Sequence, residues 1–169
     1  MESIPGRSTL MELIEEVSGT IRRYPDKARF VGPMPEEKMQ AAERQLGVRF
    51  PASYRIFVER YGSLLFGSQE FYGLTNCAAD GIPSAVWCTL EERKHGLPES
   101  MIVVLDPGIG DVIYCIDTSR VGADGEMPVI GWIPGLAVSK QPLRPRFPSF
   151  ADFILSRLSF ELELDNETD

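Results

Sequence analysis

Apolar positions in the first sixty residues recur with a helical period. Leu10, Leu13, Ile14, Val17, Ile21 and Tyr24 fall on one helix face. Thr9 and Glu12 have the spacing of a capping box, and Pro25 stops this helix. A second helix is predicted to start with Pro35 at its first position, followed by Glu36 and Glu37 where the macrodipole favours acids. Met39, Ala42 and Leu46 face inward, and Gly47 supplies a left-handed C-terminal cap. Pro51 opens a third helix in the same way. Its Tyr54, Phe57, Val58 and Tyr61 form an aromatic-rich stripe that ends at Gly62. Only Val48, Arg49 and Phe50 separate the second and third helices, so the two pack as a corner.

Beyond Gly62 the period changes. Met101 to Leu105 is a continuous apolar run, as expected for a strand covered on both faces. Asp111 to Asp117 is a second run, joined to the first by a turn at Pro107-Gly108-Ile109-Gly110, and Met127 to Trp132 is a third. Between Phe71 and Val86 the signals are weak; one or two short strands are expected there, then a short helix over Thr89–Lys94. The Pro-rich stretch 140–148 reads as irregular chain. Ser149 caps a last helix with Phe150, Phe153, Ile154 and Leu158 inward, and the acidic tail at 160–169 is expected to fray. Helices followed by strands predict an α+β fold, with N-terminal helices packed on an antiparallel β-sheet and a C-terminal helix. No repeat or linker divides the 169 residues, so a single domain over 1–169 is expected.

Composition narrows the class. With 43% hydrophobic and 25% charged residues, the chain is globular and needs no disulfide or metal staple. The absence of a signal-peptide core, together with three cysteines (Cys77, Cys88, Cys115) that form no CxxC pair, points to the cytoplasm. No apolar run is long enough for a membrane span. The net charge of −8 is unevenly placed. Residues 1–62 carry 10 basic and 9 acidic groups, whereas residues 63–169 carry 7 and 16. Such a surface repels phosphate backbones and attracts basic proteins, so direct nucleic-acid binding is not expected.

The search for catalytic chemistry finds little. The single histidine, His95, lies at a helix end, where capping or solvation outweighs catalysis. The cysteines lack metal-ligand spacing, so no metal and no cofactor is expected. The GxG at 108–110 sits between two strands and lacks the helix start that cradles phosphate. Asp106, Asp111, Asp117, Asp124 and Glu126 all fall at strand ends or beside them. Turn-forming acids are the commonest reading of that pattern, a protein-binding surface comes next, and catalysis is weakest. Trp87, Trp132 and Phe66 are possible interface anchors, with at least one tryptophan expected in the core.

The stretch from Pro35 to Gly62 resembles the N-terminal signature of the SUKH superfamily. Glu43, Leu46, Gly47, Pro51, Tyr54, Phe57, Tyr61 and Gly62 carry the likeness. Further on, Tyr114, Cys115, Asp117, Thr118, Gly125, Glu126, Pro128, Val129 and Trp132 are similar in order to the YobK-like bacterial branch. The resemblance is strongest over 34–158, leaving 1–33 as a helical extension. What it implies is a non-enzymatic immunity protein that binds and neutralises a cognate polymorphic toxin, often a nuclease. Fungal relatives act as interaction hubs, so an intracellular scaffold or regulatory module is the alternative. In the immunity reading the five acids form the contact face for a basic toxin domain. The expected state is a monomer or weak homodimer without membrane association.

Overall fold

The structure, a computed structural model, is described over residues 9–76 and 84–168. It opens with helix α1 (Leu10–Arg23), where the Thr9 hydroxyl accepts from the Glu12 N–H and the Glu12 carboxylate accepts from the Thr9 N–H at 2.8 Å. This is the reciprocal box expected from the sequence. Strand β1 (Ala28–Phe30) follows, then α2 (Glu36–Leu46) and α3 (Ala52–Tyr61). Pro35 and Pro51 are not the first helical residues but the caps one position earlier, with extended backbone (ψ 156° and 157°). Their carbonyls accept the opening helical bonds, from Met39 and Arg55, and neither proline has a side chain that can cap the turn. Gly47 closes α2 in the left-handed region (φ 69°, ψ 28°), as its lack of a Cβ allows.

A hairpin of β2 (Leu64–Phe66) and β3 (Gln69–Phe71) pairs with β1 in a three-stranded antiparallel sheet ordered β1-β2-β3. Helix α4 (Ala85–Arg93) starts on the Ser84 hydroxyl, four residues before the expected start. The second sheet is also antiparallel, ordered β4 (Met101–Leu105), β5 (Ile113–Asp117), β6 (Val129–Trp132) and β7 (Pro145–Phe147). The fold class is therefore α+β as expected, but with two sheets in place of one. The Tyr72 N–H donates to the Val104 carbonyl at 2.8 Å and ties the two together. The stretch read as irregular contains a short 3₁₀ turn (Val138–Lys140) and the edge strand β7, whose Pro145 stands at the first strand position. An edge tolerates proline because one row of its N–H groups meets no neighbour.

Helix α5 (Phe150–Thr168) runs on through the segment expected to fray and packs along α1. Lys27 pairs with Asp165, and Glu161 is buried. The core lies between the helices and the four-stranded sheet. Phe50, Tyr54, Phe57 and Phe150 form one aromatic cluster, with Tyr54 centred 4.9 Å from both Phe50 and Phe150.

Candidate functional site

The five acids nominated from the sequence do not form one face. Asp106 and Asp111 flank the β4–β5 turn, while Asp117, Asp124 and Glu126 lie at the opposite end of β5. A five-residue strand separates the two groups by roughly 13 Å at about 3.4 Å per residue. Asp106, Asp111 and Asp124 are exposed; Asp117 and Glu126 are buried, at 2% and 1% exposure. Burial removes these last two from any contact surface on the folded chain.

Each of the two has an internal task. Glu126 reaches α3 from 73 residues downstream: its Oε1 accepts from the Ser53 N–H at 3.0 Å and its Oε2 from the Ser53 hydroxyl at 2.6 Å. The start of α3 has unpaired N–H groups, a positive dipole end and a proline that cannot cap it, so a carboxylate delivered from elsewhere meets all three needs. Asp117 ends β5. Its Oδ1 accepts from the Ser119 N–H and hydroxyl, and its Oδ2 faces the Arg120 Nε at 3.1 Å. This is the turn-forming role that strand-end aspartates commonly have. Asp124 accepts from the Glu126 N–H at 3.1 Å and so positions the capping carboxylate.

What remains on the surface is concentrated at the β4–β5 turn. Asp106 accepts from the Gly108 N–H at 2.8 Å, which tightens the turn and raises Ile109 to 85% exposure between Asp106 and Asp111. A second, weaker combination pairs exposed Val121 with Asp124 in the β5–β6 loop. The sequence pattern marks the acids but not the apolar tips Ile109 and Val121. The available signal was a lone isoleucine between two turn glycines.

The motif residues are all structural. The Tyr54 hydroxyl, fully buried, donates to the Tyr72 carbonyl at 2.8 Å, and burial pushes its ionisation well above the ordinary range. The Tyr61 hydroxyl donates to Ser18 on α1 at 3.1 Å. Gly62 (φ 71°) lies so close to neighbouring chain that an added Cβ would sit 2.7 Å from the Gly32 carbonyl oxygen. Glu43 accepts from the Phe50 N–H at 2.9 Å and pairs with Arg55, fastening the α2–α3 corner. Phe57 and Trp132 are core, as is Phe66; Trp87 is 61% exposed on α4.

Among the described residues, the remaining reactive groups do not converge. His95 is exposed in the turn after α4. Burial pushes the Cys88 thiol up to about 11 and the Cys115 thiol higher still, so neither is a ready thiolate at neutral pH. Cys77 lies outside the described residues. Among the described residues, no group of three or more His, Cys, Asp or Glu side chains is arranged to hold a metal ion. Nor is any described helix long and apolar enough to cross a membrane.

The motif residues of this scaffold are caps and core. Comparison with known proteins supplies the class: the family model SUKH_5, described as SMI1-KNR4 cell-wall, matches residues 11–159, and the chain belongs to that family. The match takes in α1 as well as the later motifs. Members of the family are generally non-catalytic immunity or regulatory proteins. Among solved structures, a protein from Pseudomonas syringae pv. tomato is similar at 17% identity and a TM-score of 0.46, over 68% of this chain and 89% of that one.

Proposed function

We propose that this chain is an immunity protein of the YobK-like kind, which binds a cognate polymorphic toxin in the cytoplasm and blocks it, the toxin being a nuclease. Family membership carries the reading, since the SUKH family includes immunity proteins. The surface supports it. A nuclease presents a basic cleft to its substrate, and an acidic inhibitor occupies such a cleft with fast, salt-sensitive association. The β4–β5 turn suits that role best, because Ile109 offers an apolar anchor between two exposed carboxylates.

The test is rescue of a bacterial host from the toxin domain encoded beside this gene, followed by association kinetics. Rescue with a stable one-to-one complex is expected. The D106N/D111N double variant is expected to associate about tenfold more slowly, with a flatter dependence on salt. The I109A variant should act mainly on dissociation. An unchanged association rate in the double variant would remove the β4–β5 turn from the interface. No rescue and no complex would favour a scaffold or regulatory module, which should instead show several weak partners.

A further inference from the structure

We propose that the outer face of the β1-β2-β3 sheet docks a second copy of this chain, face to face, about a two-fold axis running along β2. In the sheet register Arg29 stands opposite Leu65, and Leu65 opposite Glu70. The three side chains form one row across the sheet, and all three are exposed. Leu65 is 37% exposed, whereas Leu64 and Phe66 on the inner face are at 1% and 0%. Val31 (41% exposed) continues the apolar part of this surface beyond Arg29, beside a shallow depression of about 190 Å³, whereas Phe30 stands opposite Leu64 on the other face with its ring against Tyr61 of α3. Among the described residues neither Arg29 nor Glu70 belongs to an ion pair.

The order of charges selects the occupant. A face of one sign would suit a partner of the other; this row reads positive, apolar, negative. A two-fold axis along its middle strand lays Arg29 of each copy over Glu70 of the other and sets Leu65 against Leu65, the self-complementarity that an isologous contact requires. Neighbouring strands ~4.8 Å apart place the flanking residues about 10 Å from each other, and stacked sheets lie about 10 Å apart, within reach of long charged side chains. Edge-to-edge pairing centred on β1 would instead set Arg29 against Arg29, which like charges disfavour. Three strands of three residues bury far less than the ~800 Å² per partner of a standard interface, so the dimer is weak and reversible. This inference does not rest on the immunity reading, because Arg29, Leu65 and Glu70 are not among the residues assigned to the toxin contact.

Sedimentation equilibrium of the full chain, in a concentration series up to about 1 mM, tests it. The wild-type mass should rise towards that of a dimer. R29E alone and E70R alone, each placing like charges opposite one another, should weaken association at least about tenfold. An equimolar mixture of the R29E and E70R chains should restore it, because the heterologous pair again opposes unlike charges; restoration also shows that both variants are folded. A wild-type chain that stays monomeric throughout, single variants that associate like wild type, or a mixture no better than its components would each overturn the proposal.

Discussion

The two sheets are built from different sequence patterns, and the difference separates frame from surface. Every residue of β4 and β6 is buried, and in β5 only Tyr114 is partly exposed. Helices cover both faces. Tyr114 meets Phe153 of α5 with ring centres 5.2 Å apart, while Glu92 of α4 lies near enough to Cys115 to raise its ionisation after burial has done so. Adjacent strand residues point to opposite faces, so α4 and α5 lie on opposite sides of the sheet. In β2 and β3 the middle residue is exposed and its neighbours are buried, leaving one face open to solvent. A continuous apolar run marks a strand that holds the fold together; an alternating one marks a strand with a side left for something else.

Truncation of one strand residue in each sheet should give the largest contrast. Trp132, at 1% exposure, fills the core on β6, so W132A is expected to cost about 3–5 kcal/mol in denaturant unfolding. Leu65→Ala on the open face should shift stability by no more than about 0.5 kcal/mol. The Trp132 indole N–H has no hydrogen-bond partner among the described residues, so W132F loses volume but no bond and should fall well short of W132A. Equal losses for W132A and L65A would mean that the two sheets are not frame and surface.

How far this division was readable in advance depended on the distance between interacting residues. The capping box of α1, the Gly47 cap and the β4–β5 hairpin rest on neighbours within a few positions, and their spacing exposes them. The three-residue strands β1 and β7 do not; too short for a period to register, they exist because neighbouring strands offer them an edge. Helix α4 began earlier than expected although Ser84 and Trp87 have cap spacing, a signal outweighed by the weak pattern around it. The acidic composition at the end of α5 predicts fraying, yet Leu and Glu are good helix formers and Leu158, Glu161 and Leu162 recur on one face. Glu126 was the hardest to place. Nothing near it in sequence distinguishes a carboxylate that caps a helix 73 residues away from one that meets solvent.

That capping role sets an intermediate effect. E126A should leave the buried Ser53 N–H and hydroxyl without their acceptor and cost about 1–3 kcal/mol, read as a lower denaturation midpoint. Its association rate with a toxin partner, measured on the folded fraction, should stay at the wild-type value. D106N/D111N should do the reverse, leaving the midpoint nearly unchanged and slowing association. A slow but fully stable E126A would return Glu126 to the surface, against its 1% exposure.

The smallest effect belongs to the carboxylate that fastens the open-faced sheet to α5. Glu161 Oε1 accepts from the Ser68 N–H at 2.8 Å, and Oε2 accepts from the Ser68 hydroxyl at 2.6 Å and from the Gln69 amide at 3.2 Å. Gly67 (φ 58°) makes the approach possible, since the Glu161 carboxylate occupies the space that a Cβ there would need. Burial pushes this carboxyl up, but the bonds from Ser68 and Gln69 outweigh it and leave it below its ordinary value. A carboxyl lowered on folding stabilises the native state fully above its unfolded value, and that contribution is lost as pH falls through the folded value. Wild-type protein should therefore lose stability on acidification more steeply than E161Q, with the two curves converging at the acid end. Because the carboxylate joins β2–β3 to α5 and touches neither β4 nor β6, hydrogen exchange at low pH should quicken first in the three-stranded sheet. Uniform quickening across both sheets would show that they unfold as one unit.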